Sequence, residues 1–274
     1  MLRLEIVGKA FADCFHNGRL WLIQFFANPI LFVLFAAWLL IPVSGRLPLV
    51  YNFVFAVVLI AATLFLHAGT LNSFAEHNRT EFTPLWPAFR RALRHLLAVA
   101  VCVAVFYLLW LLVAQLEAHQ ANLPAYVRST FPVFVRRHIA LPELDTLFAA
   151  AIFVARWVLA PGLLLPFLLQ VAGRGFRGFG VQGFFTWRKA FFSLSYWLVL
   201  LFAALLGVLA TQKLMDWTPD FRTSTFHSEA VSLAWRLFVS YAFGLFSWML
   251  ACSVVGRCCA AAGICSDVSR NPAA

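Results

Sequence analysis

The chain has 274 residues and a formal net charge of +10, and 63% of its residues are hydrophobic while only 12% are charged. Soluble domains are about half apolar and about a quarter charged, so this composition excludes an ordinary soluble protein. Binding to nucleic acid, a common property of strongly basic proteins, is not expected, because the basic residues form no soluble module of their own.

Six apolar runs fill most of the chain, and each is long enough to cross a membrane as a helix. A hydrocarbon core about 30 Å thick needs roughly 20 helical residues, and backbone groups in lipid must be hydrogen-bonded within the protein. The sequence therefore predicts an all-α integral membrane protein with one polytopic domain over residues 1–274. The first run is too long for the apolar core of a signal peptide, so we expect it to be retained. The predicted spans cover residues 20–43, 50–71, 96–116, 147–172, 191–211 and 230–255.

The basic residues between the spans predict an orientation. Thirteen of the 21 Lys and Arg residues precede span one, follow span six or lie in the loops after spans two and four, whereas six lie in the other loops. Cytoplasmic loops carry the excess of Lys and Arg in membrane proteins. We therefore predict a multi-pass protein of the cell membrane with both termini in the cytoplasm.

An Ala-Phe pair next to basic residues precedes each odd-numbered span. Short helices with buried aromatic residues and outward-reaching Arg or Lys side chains lie in the membrane interface. The sequence therefore predicts interfacial amphipathic helices before spans one, three and five, which divide the chain into three hairpins. Chance recurrence in a Phe-rich chain is the alternative explanation. The three pairs are Ala10-Phe11, Ala88-Phe89 and Ala190-Phe191.

The Cys and His residues predict neither a disulfide framework nor a metal site. No Cys lies in a predicted outer loop, and Cys258, Cys259 and Cys265 have neither C-x-x-C spacing nor a nearby His. His67 is the only His within a predicted span, so paired haem ligands are not expected either. We predict no metal and no cofactor.

With these elements the chain resembles a broad group of bacterial six-span membrane proteins. The group includes the YciC-like proteins and the membrane region attached to some glycerophosphodiester phosphodiesterases. The most similar stretch runs from Ala160 to Gly178 and continues over residues 187–193, with a Pro-containing fourth span, a Gly-bearing turn and a basic Ala-x-x-Ser element. The resemblance implies a protein of the bacterial inner membrane. It implies no catalytic residue, because the sequence contains no phosphodiesterase domain.

The first candidate site is the turn after span four, where Gly173 to Gly178 has the spacing G-x-G-x-x-G. A dinucleotide-binding fingerprint needs a strand before this motif, and here a membrane span precedes it. Two interpretations remain open. The segment is a flexible turn, or its backbone and the side chains of Arg174 and Arg177 receive a lipid phosphate.

The second candidate site is formed by Arg156 and Arg236, which lie inside predicted spans, roughly 14 Å and 9 Å from their outer ends. An Arg at the centre of a span costs about 2.5–3.5 kcal/mol on insertion scales, so each needs a partner, a wet cavity or lipid headgroups. Candidate partners are Glu117, Asp216 and Glu229. Either the arginines are structural, or they form a site for a substrate or a headgroup.

For function, the sequence favours a non-enzymatic protein that contacts membrane lipids, a membrane-protein partner or further copies of itself. No Asp or Glu lies within a predicted span, so a carboxylate proton relay is not expected. The alternative is a transporter or permease subunit that binds an anion near Arg156 and Arg236. A membrane-embedded enzyme would need a convergent polar cluster that the linear sequence does not reveal.

Overall fold

The computed structural model describes residues 4–41, 45–77, 85–118, 122–136, 141–218 and 226–261. Within these ranges the chain is helical and contains no strand, which confirms the predicted all-α class. The α-helices in chain order are α1 (Leu4–His16), α2 (Gly18–Leu39), α3 (Arg46–His77), α4 (Leu85–Arg94), α5 (Leu96–Ala118), α6 (Leu123–Thr130), α7 (Val133–Arg136), α8 (Leu141–Val154), α9 (Ala160–Arg174), α10 (Val181–Phe191), α11 (Leu194–Ala204), α12 (Thr211–Asp216) and α13 (Phe226–Ala261).

In the described part of the chain, six helical segments are long and apolar enough to cross a membrane, as predicted. Spans one, two, three and six are α2, α3, α5 and α13, respectively. Span four joins α8 to α9 through a π-helical turn at Ala155–Leu159, and span five joins α11 to α12 through a second π-helical turn at Leu205–Ala210. The six segments are Gly18–Leu39, Leu47–Ala75, Leu96–Ala118, Leu141–Phe179, Leu194–Asp216 and Phe226–Cys259.

Several boundaries of the helical segments differ from the predicted span boundaries. Spans four and six begin at Leu141 and Phe226 rather than at 147 and 230, because their polar first turns continue the helix instead of ending it. Span five begins at Leu194 rather than 191, since α10 ends at Phe191 and the chain leaves the helical conformation at Ser193.

A separate short helix precedes each odd-numbered span, in agreement with the sequence. These helices are α1, α4 and α10. The alanine of each Ala-Phe pair is buried, with 0% exposure for Ala10 and 1% for both Ala88 and Ala190. The recurring pattern thus occupies the same kind of position three times, which favours the three-hairpin repeat over chance.

Each short helix packs against the end of an even-numbered span. Helix α4 lies on span two, α10 lies on span four, and α1 lies on span six. The hydroxyl of Ser253 donates to the carbonyl of Ala10 at 2.9 Å, and the Asn72 side chain donates to the carbonyls of Ala88 and Ala172 at 3.4 and 3.2 Å. The first helix therefore closes the bundle against the last span.

The packed core lies at the end of the bundle that contains α1 and the last turns of span six, which we call the terminal end. The opposite end, which carries α6 and α7, is the loop end. Away from the terminal end, spans one and two contribute little to the core, because most of their large apolar side chains there face outward. The largest fully buried side chains include Leu20, Leu71, Phe74, Tyr196, Met249, Leu250 and Val255.

Candidate functional site

Arg156 is held by an ion pair and by aromatic rings at the loop end. Its guanidinium group binds the carboxylate of Glu117, one of the three partners suggested by the sequence. It also lies 4.2 Å from the ring centroid of Trp110 and 5.3 Å from that of Trp157, distances at which a cation is attracted to an aromatic face. The charge of Arg156 is thus compensated, and its side chain is only 18% exposed.

Arg156 lies in the π-helical turn of span four. Pro161 has no N–H group, and its ring clashes with the carbonyl of the residue four positions earlier in an α-helix. The helix widens just before it, at Ala155–Leu159. Because Glu117 lies in the last turn of span three, the guanidinium group of Arg156 lies beside the end of that span.

Arg236 caps the end of span five. Its Nη1 donates to the carbonyl oxygens of Met215 at 3.0 Å and Trp217 at 2.6 Å. The last carbonyls of a helix have no partner within the helix, and a cation is favourable at this end of the helix dipole. Arg236 therefore fastens the first part of span six to the last turn of span five, and it too lies level with the end of a neighbouring span.

Arg236 also lines a cavity of about 610 Å³ at the loop end. Glu229 lines the same cavity, but no ion pair joins it to Arg236. The Nε of Arg236 is buried without a hydrogen-bond partner among the described residues. The described side chains around the cavity belong to Thr218, Phe226, Glu229, Ala230, Ser232, Leu233 and Arg236.

A line of unpaired polar groups continues from this cavity between spans five and six. We call Thr211, Arg236, Ser240 and Ser247 the polar seam. Ser240 and Ser247 are 9% and 8% exposed, and their hydroxyls and that of Thr211 have no hydrogen-bond partner in the described part of the chain. A β-carbon on Gly207, in the second π-helical turn, would lie 2.7 Å from Ser247 Oγ. The seam thus faces span five.

The sequence analysis missed the seam, although a signal for it exists. Span six has Ser228, Ser232, Arg236 and Ser240 at intervals of four residues, which places them on one helix face. A repeated polar position in a span indicates a face turned away from lipid. Serine contributes little to a hydropathy average, so the apolar run hides the pattern.

The turn after span four is compact. Residues Gly175–Phe179 form one 3-10 turn. Gly175 has φ +64°, and the ring of His95 lies 2.7 Å from where its β-carbon would be. A β-carbon on Gly178 would lie 2.6 Å from the backbone of Gln170 and Val171. The turn is therefore pressed against α9 and against the start of span three.

Arg174 and Arg177 belong to this turn, at the terminal end, and they are not brought together with Arg156 and Arg236 at the loop end. Arg177 is exposed, whereas Arg174 is partly buried. Burial lowers the pKa of the neighbouring His95, and the charge of Arg94 lowers it further. The imidazole therefore favours its neutral form beside the turn.

The described thiols are buried and unreactive in character. Burial raises the pKa of Cys14 to about 12, and the charge of Asp13 contributes to the increase. Among the described residues, no group of three or more His, Cys, Asp and Glu side chains could hold a metal ion.

No family model matches the chain, and no curated protein or solved structure is significantly similar to it. The resemblance to YciC-like proteins therefore stays a prediction. Function has to be argued from the geometry of the chain itself.

Proposed function

We propose that the protein is a non-enzymatic, multi-pass membrane protein that binds anionic lipid headgroups at its terminal end. The observation that carries this proposal is the surface of α4. Ala88 and Phe89 of this helix are buried against the bundle, while Trp86 is 67% exposed and Arg90 and Arg94 are exposed beside it. Indole rings favour the headgroup level of a membrane, and neighbouring guanidinium groups then reach lipid phosphates.

Helix α10 repeats this chemistry. Its aromatic rings stack in series, with centroids 5.5 Å apart for Phe184 and Trp187 and 5.1 Å apart for Trp187 and Phe191. Arg188 and Lys189 are exposed on the same helix. Two helices with exposed aromatic and basic groups form an interfacial belt, and Arg177 in the adjacent turn adds a further exposed cation.

Polar groups in the bundle serve mainly to join helices, which supports a non-enzymatic role. The Gln24 side chain donates to Thr70 between spans one and two. Tyr241 of span six donates to the carbonyls of Gln24 and Phe25 at 3.1 and 2.9 Å. Tyr196 of span five donates to the carbonyl of Gly162 in span four at 2.7 Å.

The alternative of an anion transporter loses support at Arg156, because Glu117 already neutralises that cation. Lateral contact with a membrane-protein partner or with a second copy fits the outward-facing side chains of spans one and two and stays a prediction.

Removal of two exposed cations at the terminal end should weaken binding of anionic lipid. Each Lys or Arg near an anionic surface contributes about 1 kcal/mol, so Arg90→Gln combined with Arg188→Gln should lower the affinity for phosphatidylglycerol roughly tenfold to thirtyfold. Titration of the purified protein in neutral detergent, followed by native mass spectrometry, measures this affinity. Phosphatidylcholine serves as the neutral lipid.

The matched control removes two exposed cations at the loop end, with Arg136→Gln and Lys213→Gln. This variant should retain the affinity of the unmodified protein for phosphatidylglycerol. An equal loss of affinity in both variants would contradict the proposal, because it would show that the affinity depends on the total charge of the protein and not on the position of the cations.

We further propose that the terminal end faces the cytoplasm of a bacterial cell. The five described cysteines are buried, so we expect the Cys265→Ser variant to react only weakly with a maleimide. In that background Ser129→Cys, on α6, should react with an impermeant maleimide in intact cells. Gly8→Cys, on α1 where nothing lies within 4 Å of a new β-carbon, should react only after permeabilisation. The reverse pattern would invert the proposed orientation.

A further inference from the structure

The cavity at the loop end holds one cation and one anion that do not pair with each other. Arg236 and Glu229 both line it. They are separated by seven residues of one helix, which is about 10.5 Å along the axis. Seven residues are close to two full helical turns, so both side chains project from one helix face into the cavity that they line.

Arg236 retains unused hydrogen-bonding capacity. Both of its hydrogen bonds come from Nη1, although a guanidinium group has five N–H donors. Its Nε is buried without a partner among the described residues, and a buried donor left unpaired is costly. An oxyanion is the group that a guanidinium fork binds best.

Neutral hydroxyls surround the same cation. Thr218 and Ser232 line the cavity, and Ser240 lies one turn further along the helix. The Ser240 side chain is more than nine-tenths buried and its hydroxyl has no partner in the described part of the structure. Buried hydroxyls are normally satisfied by protein, water or ligand, so the helix face that continues from the cavity to Ser240 favours a polar group.

The two charges decide between classes of ligand. A simple anion at Arg236 would face the carboxylate of Glu229, and a simple cation at Glu229 would face Arg236. A molecule with both an ammonium group and an oxyanion satisfies both residues. Trp217 and Trp235 are 56% and 63% exposed near the cavity, and tryptophan marks the headgroup level of a membrane.

We propose that this cavity binds a zwitterionic ligand, with its phosphate or carboxylate on Arg236 and its primary ammonium group on Glu229. Two sources share this chemistry: the headgroup of phosphatidylethanolamine and a free zwitterion such as an amino acid. The site is separate from the lipid-binding belt proposed for the terminal end, and either can fail without the other.

The test is a calorimetric titration of the full-length protein in neutral detergent with four probes. Phosphoethanolamine should bind saturably and roughly tenfold or more tighter than ethanolamine or inorganic phosphate, each of which lacks one of the charges. Dihexanoyl phosphatidylethanolamine separates the sources. A further tenfold or larger gain over phosphoethanolamine assigns the site to lipid, and the absence of a gain assigns it to a free zwitterion.

Glu229→Gln is the decisive variant, because Glu229 is exposed and makes no hydrogen bond or ion pair in the described structure. It should lose roughly tenfold in phosphoethanolamine affinity and bind inorganic phosphate more tightly. Arg236→Gln should weaken binding of the three probes that carry a phosphate and should not weaken binding of ethanolamine, although it also frees two carbonyls of span five.

The matched control is Glu143→Gln, which changes an exposed glutamate in the first turn of span four and should leave all four affinities unchanged. Equal affinity for phosphoethanolamine, ethanolamine and phosphate would overturn the proposal. An unaltered preference in Glu229→Gln would overturn it as well.

Discussion

Asp13→Ala should destabilise the folded protein by about 3 kcal/mol, because it leaves Arg257 without its carboxylate. Both oxygens of Asp13 accept hydrogen bonds from Arg257 and join α1 to span six. The Asp13 side chain is 10% exposed and that of Arg257 is 28% exposed. Loss of one partner of a buried ion pair costs about 3–5 kcal/mol, and the partial exposure of Arg257 favours the lower value. Unfolding by sodium dodecyl sulfate, followed by Trp fluorescence, measures the free energy.

Two further variants separate pairing from general damage to α1. Lys9 and Glu5 form an exposed pair one turn apart on this helix, and Glu5→Gln should cost less than about 0.5 kcal/mol. Asp13→Ala combined with Arg257→Met should regain part of the lost stability, since no unpaired charge remains. If the double variant were less stable than Asp13→Ala, the ion pair would not be the cause.

Gly178→Ala should cost about 2 kcal/mol through a clash with backbone. The new β-carbon would lie 2.6 Å from Gln170 C and Val171 N, and overpacking of this kind costs about 1–3 kcal/mol. A backbone contact is not relieved by rotation of a side chain, so the 3-10 turn itself must move away from α9. The same unfolding titration measures the loss.

Gly173→Ala is the matched control, five positions earlier in the same glycine motif. Its β-carbon would meet only Asn72 Oδ1, at 4.0 Å, and Ala is favoured over Gly inside a helix by up to about 1 kcal/mol. This variant should be as stable as the unmodified protein or more stable. A similar loss in both variants would show that the motif needs glycine for chain freedom and not for close packing at one position.

The sequence predicted those features that depend on local pattern. The number of spans follows from run length, and the short helices follow from the Ala-Phe pairs. Glu117 was among the partners suggested for Arg156, because a buried cation needs a nearby carboxylate. Span ends were less accurate, since the polar first turns at Leu141 and Phe226 resemble loop sequence until the whole helix is seen.

The features that the sequence did not predict depend on contacts between distant elements. A π-helical turn adds one residue to a turn and leaves the apolar run unchanged, so Ala155–Leu159 has no signature in hydropathy. The hydrogen bonds from Arg236 to Met215 and Trp217 were not predicted, because only the packed bundle places the end of span five beside Arg236. The sequence of span six shows the spacing of the polar seam, but only the packed bundle shows that the seam faces span five.

The packing of α1 on span six determines the order in which the bundle can be completed during synthesis. The hydrogen bond from Ser253 to Ala10 joins residues 243 positions apart. At about 5–20 residues per second, the ribosome needs on the order of tens of seconds to supply that partner. During this interval span six has not been synthesised, so the face of α1 that contains Ala10 is not yet covered. The membrane surface suits an amphipathic helix such as α1 before span six has been synthesised. Lipid is therefore the first, temporary binding partner of α1.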